Sequence, residues 1–252
     1  CNINNMKKYL IKYSLEFLVI VMGISISFLI EKRNLKSYND ELKNISLEKI
    51  YKNLSQDVED LNFNMAVHND AIISGNQILN RGKELFENEK DSLGYHLTLI
   101  STATTFFLDN QEEYSAIKNS GLIELIKNQE IVSLLQTRYS ETKVYSIFDD
   151  LFMKLYFKLK DYTFKNISSS RKQYSKFYGP LSYGIFLGEN PIDNEIENYI
   201  YEKTDFHKFY VSIMEARLKE DLKILALIER ELSKENIFFE RNSFYDAAQK
   251  IN

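Results

Sequence analysis

The sequence predicts an all-α fold: one N-terminal transmembrane helix continuing into a stalk, then an antiparallel helical bundle with one long aromatic-rich loop. Three observations carry that expectation. Only two prolines and eight glycines occur in 252 residues, and both residue types break helix interiors. A run from Phe17 to Ile30 holds fourteen residues without a charge. Beyond it, apolar residues recur at spacings of three and four in several long stripes, each one face of a helix. The expected organisation is a tail at 1–8, an anchor at 9–30, a long amphipathic stalk at 31–86, and a bundle at 87–252 with a flap at 166–190.

Composition works by exclusion. Hydrophobic residues make up 44% and charged residues 27%, an ordinary globular balance outside the apolar run. Seventeen Tyr and seventeen Phe with no Trp leave the packing to smaller rings. A net charge of −4 offers no basic face, so no nucleic-acid partner is expected. The single cysteine, Cys1, forms no internal disulfide and leaves the redox compartment open. It stands where an initiating Met is expected, with Met6 a plausible start. Cys1 is either the lipid-bearing residue of a processed lipoprotein or a residue foreign to the native start, and an apolar anchor directly behind it would make lipidation redundant.

The opening run, "EFLVIVMGISISFLIEKR", admits three readings: membrane anchor, cleaved export signal, or core helix of a soluble protein. Fourteen uncharged residues fall short of the ~20 that span a bilayer. Extension back to Tyr9 gives twenty-two residues and takes in Lys12 and Glu16. Those two are four apart, so they share a helix face and can pair at headgroup depth. Lys7 and Lys8 suit an export signal, but no small-residue cleavage site follows beyond a weak Ser25-x-Ser27, and "EKRNLKSYNDELKN" continues without a turn residue. The anchor reading is preferred. Within it, Gly23 and Ser27 form a small-xxx-small pair that lets two membrane helices approach closely, or they are simply tolerated there. Glu16 is a partner-seeking acid at the edge of a span, or it snorkels to water beside Lys12. Lys7, Lys8 and Lys12 before the span nearly balance Lys32, Arg33, Lys36 and Lys43 after it, so loop charge barely sets orientation. The short amino tail favours N-inside, placing the bundle on the periplasmic side of the inner membrane.

Past the span, Leu35, Tyr38, Leu42 and Ile45 keep 3-4-3 spacing, and Ile50, Leu54, Val58, Leu61, Met65 and Ile72 resume the stripe. A second helix is expected over 91–108, although its β-branched and aromatic content also suits a buried strand. Asp109 and Glu112 read as a capping box that starts a short helix. Asn119, Ser120 and Gly121 stop it, with Gly121 at the left-handed position, and Asn128 caps the next helix. From Ile131 through Leu135, Thr142, Tyr145, Phe148, Phe152, Leu155, Leu159 and Tyr162 one stripe predicts a helix of roughly nine or ten turns, interrupted by Arg138. The last helix carries Phe206, Tyr210, Ile213, Leu218, Leu222, Leu225, Ile228 and Leu232. Stripes like these bury one another as an antiparallel bundle. Between the last two helices, residues 166–190 hold three glycines and one proline, so helix ends there. Tyr174, Phe177, Tyr178, Tyr183 and Phe186 argue for a folded flap or short hairpin. Those rings pack against the bundle or offer a surface to a partner.

Glu16, Gly23, Ile24 and Ile26, together with the segment Tyr114, Ile117, Ser120, Gly121, Leu122, Leu125, Ile126, Asn128 and Tyr139, resemble two recurring patterns of an uncharacterised Gram-negative bacterial family, a domain of unknown function. The resemblance covers about a quarter of the chain. It implies one N-terminal span, a charged helical stalk and an all-helical remainder, and it implies no activity, substrate or catalytic residue. The chain departs from the family where Phe28 to Arg33 replace a polar, Trp-containing stretch after the span.

Catalytic motifs are missing from the sequence: no phosphate-binding glycine loop, nucleophile elbow or zinc-binding helix pattern occurs. His68, His96 and His207 are isolated in sequence and read as surface or capped residues rather than ligands. Asp149 with Asp150, and Glu112 with Glu113, are adjacent carboxylates that splay about a helix and solvate its polar face. No enzyme activity, metal or cofactor is expected. Two functions remain. One is a membrane-tethered interaction or scaffold protein in contact with membrane lipid, acting as a homo-oligomer or on a membrane-protein partner through Gly23, Ser27 and the 35–72 stripe. The other is an extracytoplasmic bundle that senses a small molecule, for which the sequence offers no signalling domain. An exposed apolar stripe would favour the first and a polar pocket at the flap the second.

Overall fold

A computed structural model describes residues 3–140, 143–176 and 179–234, with backbone alone at 3–6, 143–149 and 151. Helix accounts for 81% of the described residues, so the fold is mostly helical as expected. Among the described residues, six helices run as α1 (Ile3–Asn88), α2 (Lys90–Thr102), α3 (Glu112–Asn119), α4 (Gln129–Ser140), α5 (Lys143–Asn166) and α6 (Asn194–Ser233). One 3-10 turn (Leu122–Leu125) lies between α3 and α4, and a two-stranded hairpin, β1 (Lys172–Lys176) with β2 (Gly179–Tyr183), precedes α6.

α1 is a single 86-residue helix, roughly 130 Å long at the usual rise per residue. No proline interrupts it, since the chain's two lie at 180 and 191. Its character changes along its length. From Tyr9 to Ile30 the large apolar residues are exposed, Val21 at 42% and Phe17 at 68% being the extremes, and the most apolar window has a mean hydropathy of 2.1 with no burial. Burial begins at Lys43 and Leu47, so the second half of the predicted stalk is a full member of the helical body. Leu35, Tyr38 and Ile45 stay exposed.

α6 runs antiparallel to this buried half. Thr204 lies against Gly75, His207 against His68, and Arg138 joins Asp221 to Asp57. A side chain at Gly75 would strike the Thr204 hydroxyl, so glycine permits the close approach of the two helices. The core lies in three parts along this seam. Leu47, Ile50, Leu54 and Val58 meet α3, α4 and Ile224 to Leu232 at the end nearest the stalk. Ile78, Leu85, α2, Leu159 and Ile200 close the far end. Between them lies only a small patch of Leu61, Phe107, Tyr210, Val211 and Met214.

The structure corrects three sequence expectations. The 91–108 helix ends at Thr102, and residues 103–111 form a segment without helix or strand that leads to α3, leaving α2 extended at Ala103 (φ −60°, ψ 105°). Their β-branched and aromatic residues favour extension, and side chains of α1 and α6 satisfy their backbone: Tyr210 Oη accepts from Phe107 N (3.3 Å) and Asp57 from Asn110 N (3.3 Å). Asp109 is not a cap. α3 begins after Gln111 with no side-chain cap, and the Asp109 carboxylate turns to Arg138 instead. The long helix expected from Ile131 to Tyr162 is seen as α4 up to Ser140 and α5 from Lys143, on either side of residues 141–142, which lie outside the described residues; Arg138 faces Asp221 and Phe152 faces His207 of α6. The buried stripes also differ from the apolar ones. On α6 Phe206, Ile213, Leu218 and Leu222 are half-buried, while Lys203, His207, Arg217 and Asp221 are buried. Gly121 does take the left-handed conformation (φ 75°), and Asn128 Oδ1 accepts from Glu130 N (3.0 Å) at the start of α4.

The hairpin fits the flap expectation. β1 is largely exposed and β2 alternates half-buried with exposed residues, and the flap is tied down beyond them. Phe186 N donates to the Lys90 carbonyl (3.0 Å) and Leu187 N to that of Asn166 (2.8 Å). Gly94 lets α2 approach the carbonyl of Gly184, which a larger side chain would strike.

Candidate functional site

The residues singled out in sequence are spread over three regions. Glu16 pairs with Lys12 at 3.9 Å on the exposed surface of α1. The Ser27 hydroxyl donates to the Gly23 carbonyl (3.0 Å), which leaves that face small and without a free donor. On the flap, Tyr174 and Tyr183 set their rings edge-on against Tyr95 at 5.3 and 5.2 Å. Phe177 and Tyr178 lie outside the described residues, as does Cys1. Phe186 is fully buried, facing Phe86 at 6.2 Å. It is a core residue and unavailable to a partner. Among the expected solvated acids, Asp150 and Glu112 are exposed and Glu113 pairs with Lys49 (3.5 Å).

The structure instead gathers polar groups inside the seam, at two levels. At the level nearer the stalk, Arg138 is fully buried among three carboxylates. Its Nη2 donates to Asp57 (2.5 Å), its Nε to Asp221 (2.6 Å) and its Nη1 to Asp109 (3.4 Å). A second bond from Nη2 to Asp221 (3.1 Å) makes that pair bidentate, the strongest ion-pair geometry available to arginine. Arg217 donates to the Arg138 carbonyl (3.2 Å) and pairs with Glu220 (3.4 Å). Burial pushes the Asp57 carboxyl up to about 6 despite Arg138, and raises that of Asp221 as well. The shared guanidinium does not fully offset the desolvation of Asp57 and Asp221.

The second level lies three turns along α1. His68 and His207 are 1% and 0% exposed, and their Nδ1 atoms stand 2.7 Å apart. His68 Nε2 lies 3.1 Å from the Thr105 carbonyl. A carbonyl only accepts, so Nε2 carries the His68 proton, and neutral His68 presents a bare Nδ1. His207 then donates from its own Nδ1. Its Nε2 is left as a bare lone pair, buried and without a partner. One helical turn away, Lys203 is fully buried; its Nζ donates to the Ser101 carbonyl (3.1 Å) and sits over the rings of Phe152 (5.0 Å) and Tyr156 (5.5 Å). Phe152 also packs edge-on against His207 at 4.8 Å. Desolvation pulls the Lys203 ammonium down to about 7 and His68 to about 4, and lowers His207 well below its ordinary value.

This basic cluster corrects the expectation that the histidines are surface residues; only His96, half-buried with Ser74 Oγ 3.1 Å away, comes close to it. Sequence reading missed His68, His207 and Lys203 because it followed apolar residues alone. A signal was present. His68 continues the line of Leu54 and Leu61 at seven-residue spacing, and Lys203 and His207 are four apart on the buried face of α6. Two histidines and a lysine do not make a metal centre, and no group of three or more His, Cys, Asp or Glu forms one among the described residues. Comparison with protein-family models, curated proteins and solved structures finds no match.

Proposed function

We propose that this chain is a single-pass membrane protein whose helical bundle serves as an interaction or scaffold module in a membrane complex, with no chemistry of its own. One observation carries the reading: none of the Tyr9–Ile30 section of α1 is covered by protein, and it is apolar on every side from Phe17 to Ile30, Lys12 and Glu16 at its edge being its only charges. Twenty-two residues give about 33 Å of helix, enough for a hydrocarbon core. A helix apolar all round needs an apolar solvent, and membrane lipid supplies it. The same unbroken helix carries the bundle, so bundle and span move as one lever.

The stripe that continues from the span supports assembly. Ser27, Tyr38 and Ile45 follow one another by eleven and seven residues, close to whole turns, so they share a face. Leu35 and Tyr38 on that side are 59% and 58% exposed, an apolar edge with no cover in the described chain. A second copy or a membrane-protein partner would cover it, with Gly23 allowing close approach in the bilayer. The inner membrane, with the N-terminus inside and the bundle periplasmic, is the arrangement we propose. The small-molecule-sensing alternative has less support, because Tyr95, Tyr174, Tyr183 and Phe186 fill the space beneath the flap with rings.

Mass spectrometry of the complex extracted from native membranes in mild detergent tests the reading. A closed homo-oligomer, or a second protein in fixed ratio, is the expected result. A monomer that also leaves the membrane in alkaline carbonate would refute both the anchor and the assembly role.

A further inference from the structure

We propose that the Lys203–His68–His207 cluster is a proton-binding switch, which on charging loosens the middle of the α1–α6 seam together with the segment 103–111. This goes beyond the anchoring role and does not depend on it. The geometry sets the order of events. His207 Nε2 is a basic lone pair with no hydrogen bond to lose, so a proton added there breaks nothing at first. It creates an imidazolium beside the Lys203 amine in a dry site. A proton added at His68 Nδ1 is different, because that atom accepts the bond from His207. Once both Nδ1 atoms carry hydrogen the 2.7 Å contact is impossible and α1 and α6 must part there. The His68 bond to the Thr105 carbonyl and the Lys203 bond to the Ser101 carbonyl tie the end of α2 and the start of the segment to the same event.

The surroundings offer the charge no relief. Facing the cluster are Asn64 from α1, Phe106 from the segment, Phe152 and Tyr156 from α5, and Phe206 and Tyr210 from α6. Thr105 occupies Asn64 Oδ1 (2.8 Å), Tyr156 Oη accepts from Lys160 (2.7 Å), and Tyr210 Oη accepts from Phe107 N. The acids along the same helices are engaged elsewhere. Asp60 accepts from the backbone of Leu108, Asp70 pairs with Lys176 (2.8 Å) and Asp205 with Lys208 (2.8 Å), while Glu202 is exposed. Among the described residues no carboxylate faces the cluster. Burial at the imidazoles and ammonium favours their neutral forms, so acid must act against the fold. Burial also favours the neutral form of His96, half-buried beside Ser74 toward the far end, but only in the middle do two imidazoles and an ammonium share one dry site, so the opening is centred there.

Hydrogen exchange of the full chain in lipid nanodiscs at pH 8, 7, 6 and 5, with times scaled for the intrinsic pH dependence of amide exchange, tests this. Protection over 98–111 and 200–211 should fall at least tenfold between pH 7 and 5 relative to 47–54 and 78–86. A constant ratio across the series overturns the proposal without any variant. His207→Gln should remove most of the acid-induced loss, and Lys203→Met should weaken it by several-fold, since the neighbouring positive charge is gone. If neither change alters the transition, the cluster is not the sensor. Asp149→Asn, three residues before Phe152, should leave the transition in place. If that change alone abolishes it, a carboxylate governs the response and the proposal fails.

Discussion

The two polar levels inside the seam both join α1, the 103–111 segment and α6, but by opposite means. At Arg138 a cation meets three acids and links α1, the segment, α4 and α6 through charge-assisted hydrogen bonds. At Lys203 and the histidines, α1, the segment, α2, α5 and α6 meet around bases that stay neutral because nothing compensates their charge. The first level is held by shared charge that only partly offsets burial, the second by bases that stay neutral. Buried ion pairs need every partner present, whereas buried neutral bases need only the absence of protons. The first should therefore respond to mutation above all, and the second to pH.

Removing the shared cation should have the largest effect. Arg138→Met leaves three carboxylates buried without their donor, and loss of one member of such a network costs about 3–5 kcal/mol. Urea unfolding at pH 7 should show that drop in stability. Adding Asp57→Asn and Asp221→Asn to the same chain should recover a large part of it. No recovery would mean that the arginine acts through packing rather than charge.

The pH response separates the levels next. Asp57 titrates near 6 in the fold against 3.8 in a free chain, so its contribution to stability falls as pH rises from about 4 to 6. His68 titrates near 4 against 6.5, so its contribution rises over almost the same window, because the unfolded chain binds the extra proton. Each shift is worth roughly 3 kcal/mol at about 1.4 kcal/mol per unit, and the two offset in global stability. His68→Gln should unmask the acid, and unfolding free energy should then decline from pH 4 to 6. A flat profile in that variant would show that Asp57 is held by Arg138 more firmly than its burial suggests.

Lys203→Met comes third. The ammonium is lowered from 10.5 to about 7 by desolvation, so wild-type stability rises with pH between those values as the unfolded chain gives up its proton. An apolar replacement of similar length should abolish that rise. At pH 7 it should raise stability by about 1–3 kcal/mol, the usual outcome when an uncompensated buried cation gives way to well-packed carbon. A loss of stability instead would show that the bond to the Ser101 carbonyl outweighs the desolvation of the amine.

Much of this contrast was hidden in the sequence for one physical reason. Apolar periodicity marks the helices, and α1, α6, the turn at Gly121 and the flap were all legible from it or from turn residues. It locates a buried face only where that face is apolar. At Asp57, Asn64, His68, Lys203, His207, Arg217 and Asp221 the buried line is polar, and the stripe shifts to half-buried neighbours such as Met65, Ile72 and Phe206. Arg138 showed as an interruption of a stripe, yet its partners lie about eighty residues away in both directions. Long-range pairing of that kind leaves no local pattern. The segment 103–111 was equally opaque, because its backbone partners belong to other helices.

The smallest prediction tests whether neutral contacts at the charged level behave differently from its ions. Tyr139 stacks on Tyr114 at 4.3 Å, lies under the Arg138 guanidinium at 4.6 Å and donates from its hydroxyl to the Asn110 carbonyl (3.2 Å). Tyr139→Phe keeps the ring and removes one hydrogen bond, so it should cost about 1 kcal/mol at neutral pH. Burial raises the phenol above its ordinary value. Above pH 10 the unfolded chain therefore ionises this tyrosine while the folded chain does not, and wild-type stability falls with rising pH. The phenylalanine variant lacks that slope, so the difference between the two proteins should shrink as pH rises past 10. Unfolding curves at pH 7 and 10.5 would show it. A difference that instead grows with pH would mean that Arg138 holds Tyr139 as a phenolate, making it a fourth anion of the network rather than a neutral neighbour.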